Sequence, residues 1–244
     1  FKVISSFAPA LDACGATLST VYYDGPYSSG EKEFRNWWGS DYKGYHTIRD
    51  GITYSMNIVA LRCMADTVTP QLGVEYAERL GITSLVSQDQ TLSTALGGLT
   101  KGVSNLELTN AFAAIANGGT LMKPYMIDHV ENVGGQTVKK FLPSAYGTLM
   151  SANDAQFLTH LMSQVVEIGT GSAMRGASYT VAGKTGSAEF EAGKETHSWF
   201  VGFAPADKPK VAICVLAEES GSGGAVAAPI ARQVLDRYFA KYGQ

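Results

Sequence analysis

The sequence predicts an α+β fold in which helices flank an antiparallel β-sheet, and three observations support it. Residues 1–124 are dominated by helical apolar spacing with capping signals. Between residues 181 and 217, short apolar runs are separated by turn-forming segments, which is typical of three consecutive antiparallel strands. Residues 229–242 form an amphipathic segment that predicts a closing helix packed on this sheet.

The first part of the chain, residues 1–124, is predicted to be mostly helical. Residues 1–11 repeat apolar side chains at helical spacing. Residues 16–50 are rich in aromatic residues and glycine, which predicts an irregular segment packed on the surface. Thr47 is the predicted N-cap of the next helix, because an acidic side chain follows three residues later. Three further helices are predicted, over residues 58–66, 70–80 and 105–116.

The second part of the chain begins with a small hairpin. Residues 125–141 alternate apolar and polar side chains around a Gly-Gly turn, which predicts two paired strands. Residues 151–244 are predicted to hold a helix, the C-terminal strands and the closing helix. Ser151 and Asp154 are expected to form a capping box at the start of that helix. The closing helix is predicted to turn five side chains to the core: Ile230, Val234, Leu235, Tyr238 and Phe239.

Composition excludes several classes of partner. The 244 residues are 45% hydrophobic and 17% charged, with a net charge of -3, so no basic surface for nucleic acid is indicated. The three cysteines, Cys14, Cys63 and Cys214, lack the spacing of a zinc site or a disulfide framework. No metal or other cofactor is predicted. No apolar run approaches the roughly 20 residues that span a bilayer.

The most informative motif is Lys184-Thr185-Gly186-Ser187. It follows Val181 and Ala182, which are predicted to end a strand. An ammonium group and two hydroxyl groups beside small residues can hold a carboxylate while a peptide adds along the strand edge. The same residues also fit a glycine-rich hairpin with a solvated lysine.

Two further groups stand upstream of this motif. Ser55 and Asn57 are two residues apart at a helix junction, where both can face one cleft, although such a pair also serves as a helix cap. Lys2 lies near the start of the first helix, where it is either a surface lysine or a base for a neighbouring hydroxyl.

Together these motifs resemble the transpeptidase domain of penicillin-binding proteins, a serine D,D-transpeptidase and β-lactamase-like family. Lys-Thr-Gly accompanies Ser-x-Asn and Ser-x-x-Lys in that family. Here Phe1-Lys2 looks like the tail of Ser-x-Phe-Lys, so the nucleophilic serine is expected just before residue 1. The order Leu-Gly-Gly, Leu-Glu-Leu-Thr and Ala-Asn-Gly-Gly-Thr is also similar to the family.

The resemblance implies a fold and a set of roles. The family's sheet has five strands, so residues 1–244 are expected to be a domain fragment that lacks the first two. Lys2 is the implied base, Ser55 a proton relay and Asn57 a donor to the substrate. The implied anion site is formed by Lys184, Thr185, Gly186 and Ser187, with the main-chain N–H of Ser187 in the oxyanion hole.

The resemblance also implies an activity. A serine acyl-enzyme would cross-link D-Ala-D-Ala stem peptides of peptidoglycan, and β-lactams would acylate the same serine as covalent inhibitors. The parent protein is expected to be anchored in the cell membrane, to act outside the cytoplasm and to work with other wall-synthesis proteins. Two alternatives remain open: a non-catalytic penicillin-recognising sensor or scaffold, and, less favoured, a serine β-lactamase. The motifs are similar to both bifunctional and monofunctional penicillin-binding proteins.

Overall fold

The computed structural model describes residues 1–243 and confirms an α+β fold. Its helices surround antiparallel strands, and a π-helical turn over Val3–Phe7 leads directly into the first α-helix. A second such turn, Met64–Val68, extends the third. The helices are α1 (Ala8–Asp12), α2 (Ile48–Thr53), α3 (Asn57–Cys63), α4 (Pro70–Arg79), α5 (Asn105–Ala116), α6 (Ala152–Glu167) and α7 (Ala227–Tyr242). Short 3-10 turns cover Ser87–Asp89, Leu92–Leu96 and Ser172–Met174.

The strands form one three-stranded sheet and four two-stranded pairs within the described residues. The strands are β1 (Val21–Asp24), β2 (Tyr27–Ser29), β3 (Lys32–Phe34), β4 (Gly44–Thr47), β5 (Thr120–Met122), β6 (His129–Glu131), β7 (Thr137–Lys140), β8 (Ala145–Thr148), β9 (Ala182–Ala188), β10 (His197–Ala204) and β11 (Val211–Ala217). The pairs are β1 with β4, β2 with β3, β5 with β8 and β6 with β7.

The main sheet has the order β11-β10-β9, and both pairings are antiparallel. Its two faces are covered by different helices because side chains alternate along β10. Phe200 packs with residues of α7 in one cluster. Phe203 packs in a second, larger cluster together with α5 and α6. β9 is an edge strand of this sheet, and α6 packs against it.

The π-helical turn and α1 run through the larger core. Val3, Ile4 and Phe7 are fully buried there, among side chains of α2, α3 and α6. Burial of the hydrophobic face of this segment fixes the position of the preceding Lys2. The first helix is thus a central support of the fold rather than a frayed end.

The N-cap predicted at Thr47 is confirmed, and α4 and α5 also begin at side-chain caps. Thr47 and Asp50 form the capping box of α2, and Ser104 with Glu107 forms that of α5. Thr69 caps α4 by accepting from the Leu72 N–H.

The capping box predicted for α6 is wrong. The Ser151 hydroxyl does accept from the Asp154 N–H, but the Ser151 N–H donates to Asp12 at 3.2 Å. The Ser151 N–H, which a local capping box would use, is therefore bonded to Asp12 of α1 instead.

Three other predictions need correction. Residues 16–50 contain four short strands rich in aromatic residues: β2 and β3 pair across a tight turn, whereas β1 pairs with the distant β4. Ala182 begins its strand instead of ending one, so the Lys-Thr-Gly motif lies inside β9. In α7, Ile230 and Val234 are exposed, since small alanines at positions 228 and 231 pack on the sheet in line with Leu235 and Phe239.

No helix in the described residues is long and apolar enough to cross a membrane.

Candidate active site

The structure brings Lys2 and Ser55 into direct contact. The Lys2 Nζ donates to the Ser55 Oγ at 3.0 Å and to the Ser55 carbonyl at 3.1 Å. These residues are 53 positions apart, so the contact depends on the packing of the first helix against α2 and α3. The pairing of an amine with a hydroxyl is the arrangement that proton transfer between them needs.

Ser55 is held in a backbone conformation that is uncommon for a residue with a side chain. Its φ of 57° lies in the left-handed region. It sits in the turn between α2 and α3, followed by the buried Met56. Such strain persists where the surrounding structure fixes it, and it is concentrated at functional sites.

Burial changes the acid–base properties of Lys2. Removal from water lowers the pKa of its ammonium from 10.5 to about 8. The cause is desolvation, which penalises the charged form of a lysine. The lowered pKa makes the neutral amine, the form that a general base requires, more accessible than for an ordinary lysine.

Lys184 lies on β9 and is 5% exposed. Its Nζ donates to the Thr185 carbonyl at 3.0 Å, and no carboxylate lies within ion-pair distance among the described residues. Burial, and next the charge of Lys2, lower the pKa of Lys184 well below its usual value. The half-buried Lys2 and the buried Lys184 are neighbours without an acidic partner in the described residues, and such a pair of cations can attract an anion.

Two threonine hydroxyl groups, those of Thr185 and Thr170, also lie at this site. Its Oγ1 lies 2.6 Å from the Oγ1 of Thr170, in the loop that follows α6. The same loop is tied to the end of α2, since the Thr170 N–H donates to the Thr53 carbonyl at 3.4 Å. The sequence shows Thr170 only as part of a helix-breaking Gly-Thr-Gly, so its contact with the motif strand was missed.

Gly186 and Ser187 continue the strand beneath a second loop. The Ser187 Oγ accepts from the Gly223 N–H at 3.3 Å. Gly223 lies so close to β9 that a Cβ there would be 2.3 Å from the carbonyl oxygens of Gly186 and Trp199. Only glycine fits at this contact without a shift of the loop or strand.

Gly223→Ala is expected to destabilise the protein by about 1–3 kcal/mol, because backbone must move to relieve the clash. The thermal unfolding midpoint is the measurement. Gly134→Ala is the matched control, since its Cβ would meet only the end of the Asn132 side chain at 3.3 Å. Equal midpoints for the two variants would contradict the tight packing of Gly223 on β9.

Asn57 is oriented differently from the lysines. It is the first residue of α3, and its Nδ2 donates to the Arg35 carbonyl at 2.8 Å. Its own N–H donates to the Oδ1 of Asn36 at 2.8 Å. The structure thus places Lys2, Ser55 and Lys184 together, whereas the Asn57 amide is engaged with residues 35–36 on the edge of the same turn.

Comparison with known proteins places this chain in the class of transpeptidase domains. The model of the penicillin binding protein transpeptidase domain matches residues 1–236, and the chain belongs to this family. It is 31% identical over 208 residues to penicillin-binding protein 1F of Bacillus subtilis, covering 84% of this chain and 28% of that protein. It is 31% identical over 190 residues to the peptidoglycan D,D-transpeptidase PbpA of Mycolicibacterium smegmatis, covering 70% and 36%.

Solved structures show the same fold. The D,D-transpeptidase domain of a peptidoglycan glycosyltransferase from Eggerthella lenta superposes with a TM-score of 0.85 at 25% identity, covering all of this chain and 64% of that one. The imipenem acyl-enzyme complex of penicillin-binding protein A from M. tuberculosis gives a TM-score of 0.84 at 25% identity, with 98% and 58% covered. The chain spans about a third of the length of the curated relatives it matches.

Proposed function

We propose that residues 1–244 are part of the catalytic domain of a peptidoglycan D,D-transpeptidase that works through a serine acyl-enzyme. The observation that carries this proposal is the 3.0 Å contact between the Lys2 amine and the Ser55 hydroxyl, beside Lys184, which has no carboxylate partner in the described part of the chain. The names of the relatives support it, since they include a peptidoglycan D,D-transpeptidase and acyl-enzyme complexes with β-lactams.

The proposed nucleophile is a serine two positions before Phe1 in the full-length protein. Lys2 lies three positions after it, and this i, i+3 spacing puts both on one face of the first helix. The serine Oγ attacks the carbonyl carbon of the penultimate D-Ala, and its proton passes to the neutral Lys2. The C–N bond to the terminal D-Ala then breaks, and Ser55 relays the proton to the leaving amine. An amine of a second stem peptide attacks the ester and regenerates the serine.

The second half of the site binds the substrate. Lys184 and Thr185 hold the terminal carboxylate, while Gly186 and Ser187 offer the free edge of β9 to the peptide backbone. The Ser187 N–H contributes to the oxyanion hole. The Asn57 Nδ2 gives up its hydrogen bond to the Arg35 carbonyl and donates to the substrate instead. The incoming carboxylate raises the pKa of Lys184 again, because an opposite charge favours the protonated amine.

The outer edge of the main sheet favours pairing with further strands of the full-length protein. Every residue of β11 is half-buried, and its outer edge is unpaired within the described residues. An open edge of this length is normally covered. We propose that strands preceding residue 1 pair with β11 and complete the sheet.

The site and its relatives also support a location. We propose that the full-length protein is anchored in the cell membrane, acts on its outer side and works with other wall-synthesis proteins. Peptidoglycan stem peptides are its substrates, and β-lactams are its covalent inhibitors. This part of the proposal rests on the peptidoglycan function printed in the relatives' names.

Acylation is expected to accelerate with pH. The rate constant of acylation by a saturating β-lactam should rise as pH increases through about 8, where Lys2 loses its proton. The sign follows from the base role, since only the neutral amine accepts the serine proton. Stopped-flow measurement at saturation removes any effect of pH on affinity. A rate constant that does not change from neutral to mildly alkaline pH would contradict Lys2 as the base.

Turnover of a stem peptide tests the function itself. The full-length protein is incubated with a D-Ala-D-Ala peptide and an amine acceptor, and the products are identified by mass spectrometry. A transpeptidase releases D-Ala and forms the cross-linked peptide. A sensor is acylated by penicillin yet gives no cross-linked product, and a β-lactamase hydrolyses penicillin rapidly. Either of these two results would overturn the proposal.

A further inference from the structure

Residues 35–37 hold the Ser55–Asn57 turn by hydrogen bonds from three consecutive positions. The Arg35 carbonyl accepts from the Asn57 side chain at 2.8 Å. The Trp37 indole N–H donates to the Tyr54 carbonyl at 2.9 Å. Between them, the Asn36 Oδ1 accepts from the main-chain N–H of Asn57 at 2.8 Å. The turn that carries Ser55 is thus held from outside its own helices.

Asn36 replaces a missing helix cap. The residue before α3 is Met56, whose side chain makes no capping hydrogen bond. The Asn36 Oδ1 accepts from the first two N–H groups of α3, those of Asn57 and Ile58, at 2.8 and 3.2 Å. Free N–H groups at a helix start need such an acceptor. Asn36 is only 4% exposed, so water does not substitute for it.

A buried carboxylate fixes the orientation of the Asn36 amide. Asp24 is fully buried at the end of β1, and its Oδ1 accepts from the Asn36 Nδ2 at 2.7 Å. Its Oδ2 accepts from the Lys43 N–H at 2.9 Å. A carboxylate only accepts and a main-chain N–H only donates, so the amide has one orientation that satisfies all of its partners.

We propose that Asp24 and Asn36 are a positioning pair that holds Ser55 against Lys2 and thereby sets the rate of acylation. This inference rests on the proposed function. Among the described residues neither side chain has a hydrogen bond to Lys2 or Lys184, so both act through the turn they hold. Ser55 has a left-handed backbone that needs support from its surroundings. The pair supplies that support through the hydrogen bonds to the start of α3.

An exchange of the two side chains tests the pair. With Asp24→Asn alone, the new side-chain NH2 group faces another donor, either the Asn36 Nδ2 or the Lys43 N–H. Asn36→Asp alone sets two buried carboxylates against each other. In the double variant the carboxamide at position 24 accepts from the Lys43 N–H and donates to the carboxylate at position 36. That carboxylate accepts from both N–H groups of α3, so the network is restored.

The experiment measures acylation of the full-length protein by a fluorescent penicillin, separating the rate constant of acylation from the dissociation constant of the preceding complex. Asn36→Ala and both single exchanges are expected to slow acylation by about 100-fold, as a misplacement near 1 Å does. The dissociation constant should stay near that of the wild type, since Lys184 and Thr185 are untouched. The double exchange should recover most of the rate.

Asn110→Ala is the matched control. Its Nδ2 donates to the Met122 carbonyl at 3.2 Å and ties α5 to β5, away from the turn. It should lower the unfolding midpoint without slowing acylation. If the Asn36 variants lose only stability, like Asn110→Ala, or if the double exchange recovers none of the rate, the positioning role is wrong. If the wild type itself is not acylated, the proposed function fails instead.

Discussion

Lys2→Met in the full-length protein is expected to lower the acylation rate by about 10²–10⁴-fold, the usual contribution of a general base. The same change should raise the free energy of unfolding at neutral pH. Lys2 is desolvated, and its lowered pKa of about 8 means that the folded state disfavours the ammonium. A pKa lowered from 10.5 to about 8 corresponds to a gain of at most about 3–4 kcal/mol.

The stability gain should depend on pH in one direction. Below about pH 8 Lys2 is protonated in both states, and the full penalty applies to the wild type. Between this pH and its ordinary pKa of 10.5, the unfolded chain binds the proton and the folded chain does not. Stability of the wild type therefore rises with pH across this window, and the advantage of Lys2→Met shrinks.

Denaturant titrations at several pH values, with penicillin acylation measured in parallel, check both effects. Lys140→Met, on the exposed strand β7, is the control for loss of a lysine charge. It should change neither quantity. A Lys2→Met variant that keeps its acylation rate would contradict the role of Lys2, and one with reduced stability at neutral pH would contradict its desolvation.

Lys184→Met is expected to lower kcat/KM for a β-lactam by about 100-fold or more. Loss of one partner from a buried charge pair costs roughly 2–5 kcal/mol. The loss should fall on substrates that carry the carboxylate, because Lys184 has no acidic partner of its own in the described residues. The measurement compares penicillin with its methyl ester, which lacks the negative charge.

The comparison with the methyl ester distinguishes a loss of carboxylate binding from a general loss of activity. Wild type should favour penicillin over the ester strongly, and Lys184→Met should react with both at similar rates. A variant that slows equally with both compounds would show that Lys184 supports the fold or the chemistry and does not bind the carboxylate. Lys184→Arg keeps the charge and should retain part of the discrimination.

Local signals explain which parts of the fold were predictable from the sequence. The caps at Thr47, Thr69 and Ser104 form within four residues, so the sequence contains every partner. Three apolar runs similarly predicted the β9–β11 sheet, because neighbouring antiparallel strands follow one another along the chain. The three short catalytic-type motifs pointed to one family, which the comparison confirmed.

The missed features all depend on contacts between distant residues. The Ser151 N–H donates to Asp12, which is 139 positions away, and this breaks a local capping rule. Asn36 caps α3 from 21 positions upstream, inside a segment whose composition indicated aromatic packing or the border of a substrate groove, but no cap. Thr170 meets Thr185 only after α6 has been placed on β9. No periodicity in the sequence encodes these pairings.

The most direct measurement is a map of the acylated residue. The full-length protein is incubated with penicillin and digested, and the peptide that carries the acyl group is sequenced by mass spectrometry. We expect a single adduct, on a serine two positions before Phe1, in a peptide that continues into Phe1-Lys2-Val3-Ile4. An adduct on any other residue, or no adduct, would contradict the assignment of Lys2, Ser55 and Lys184 to the active site.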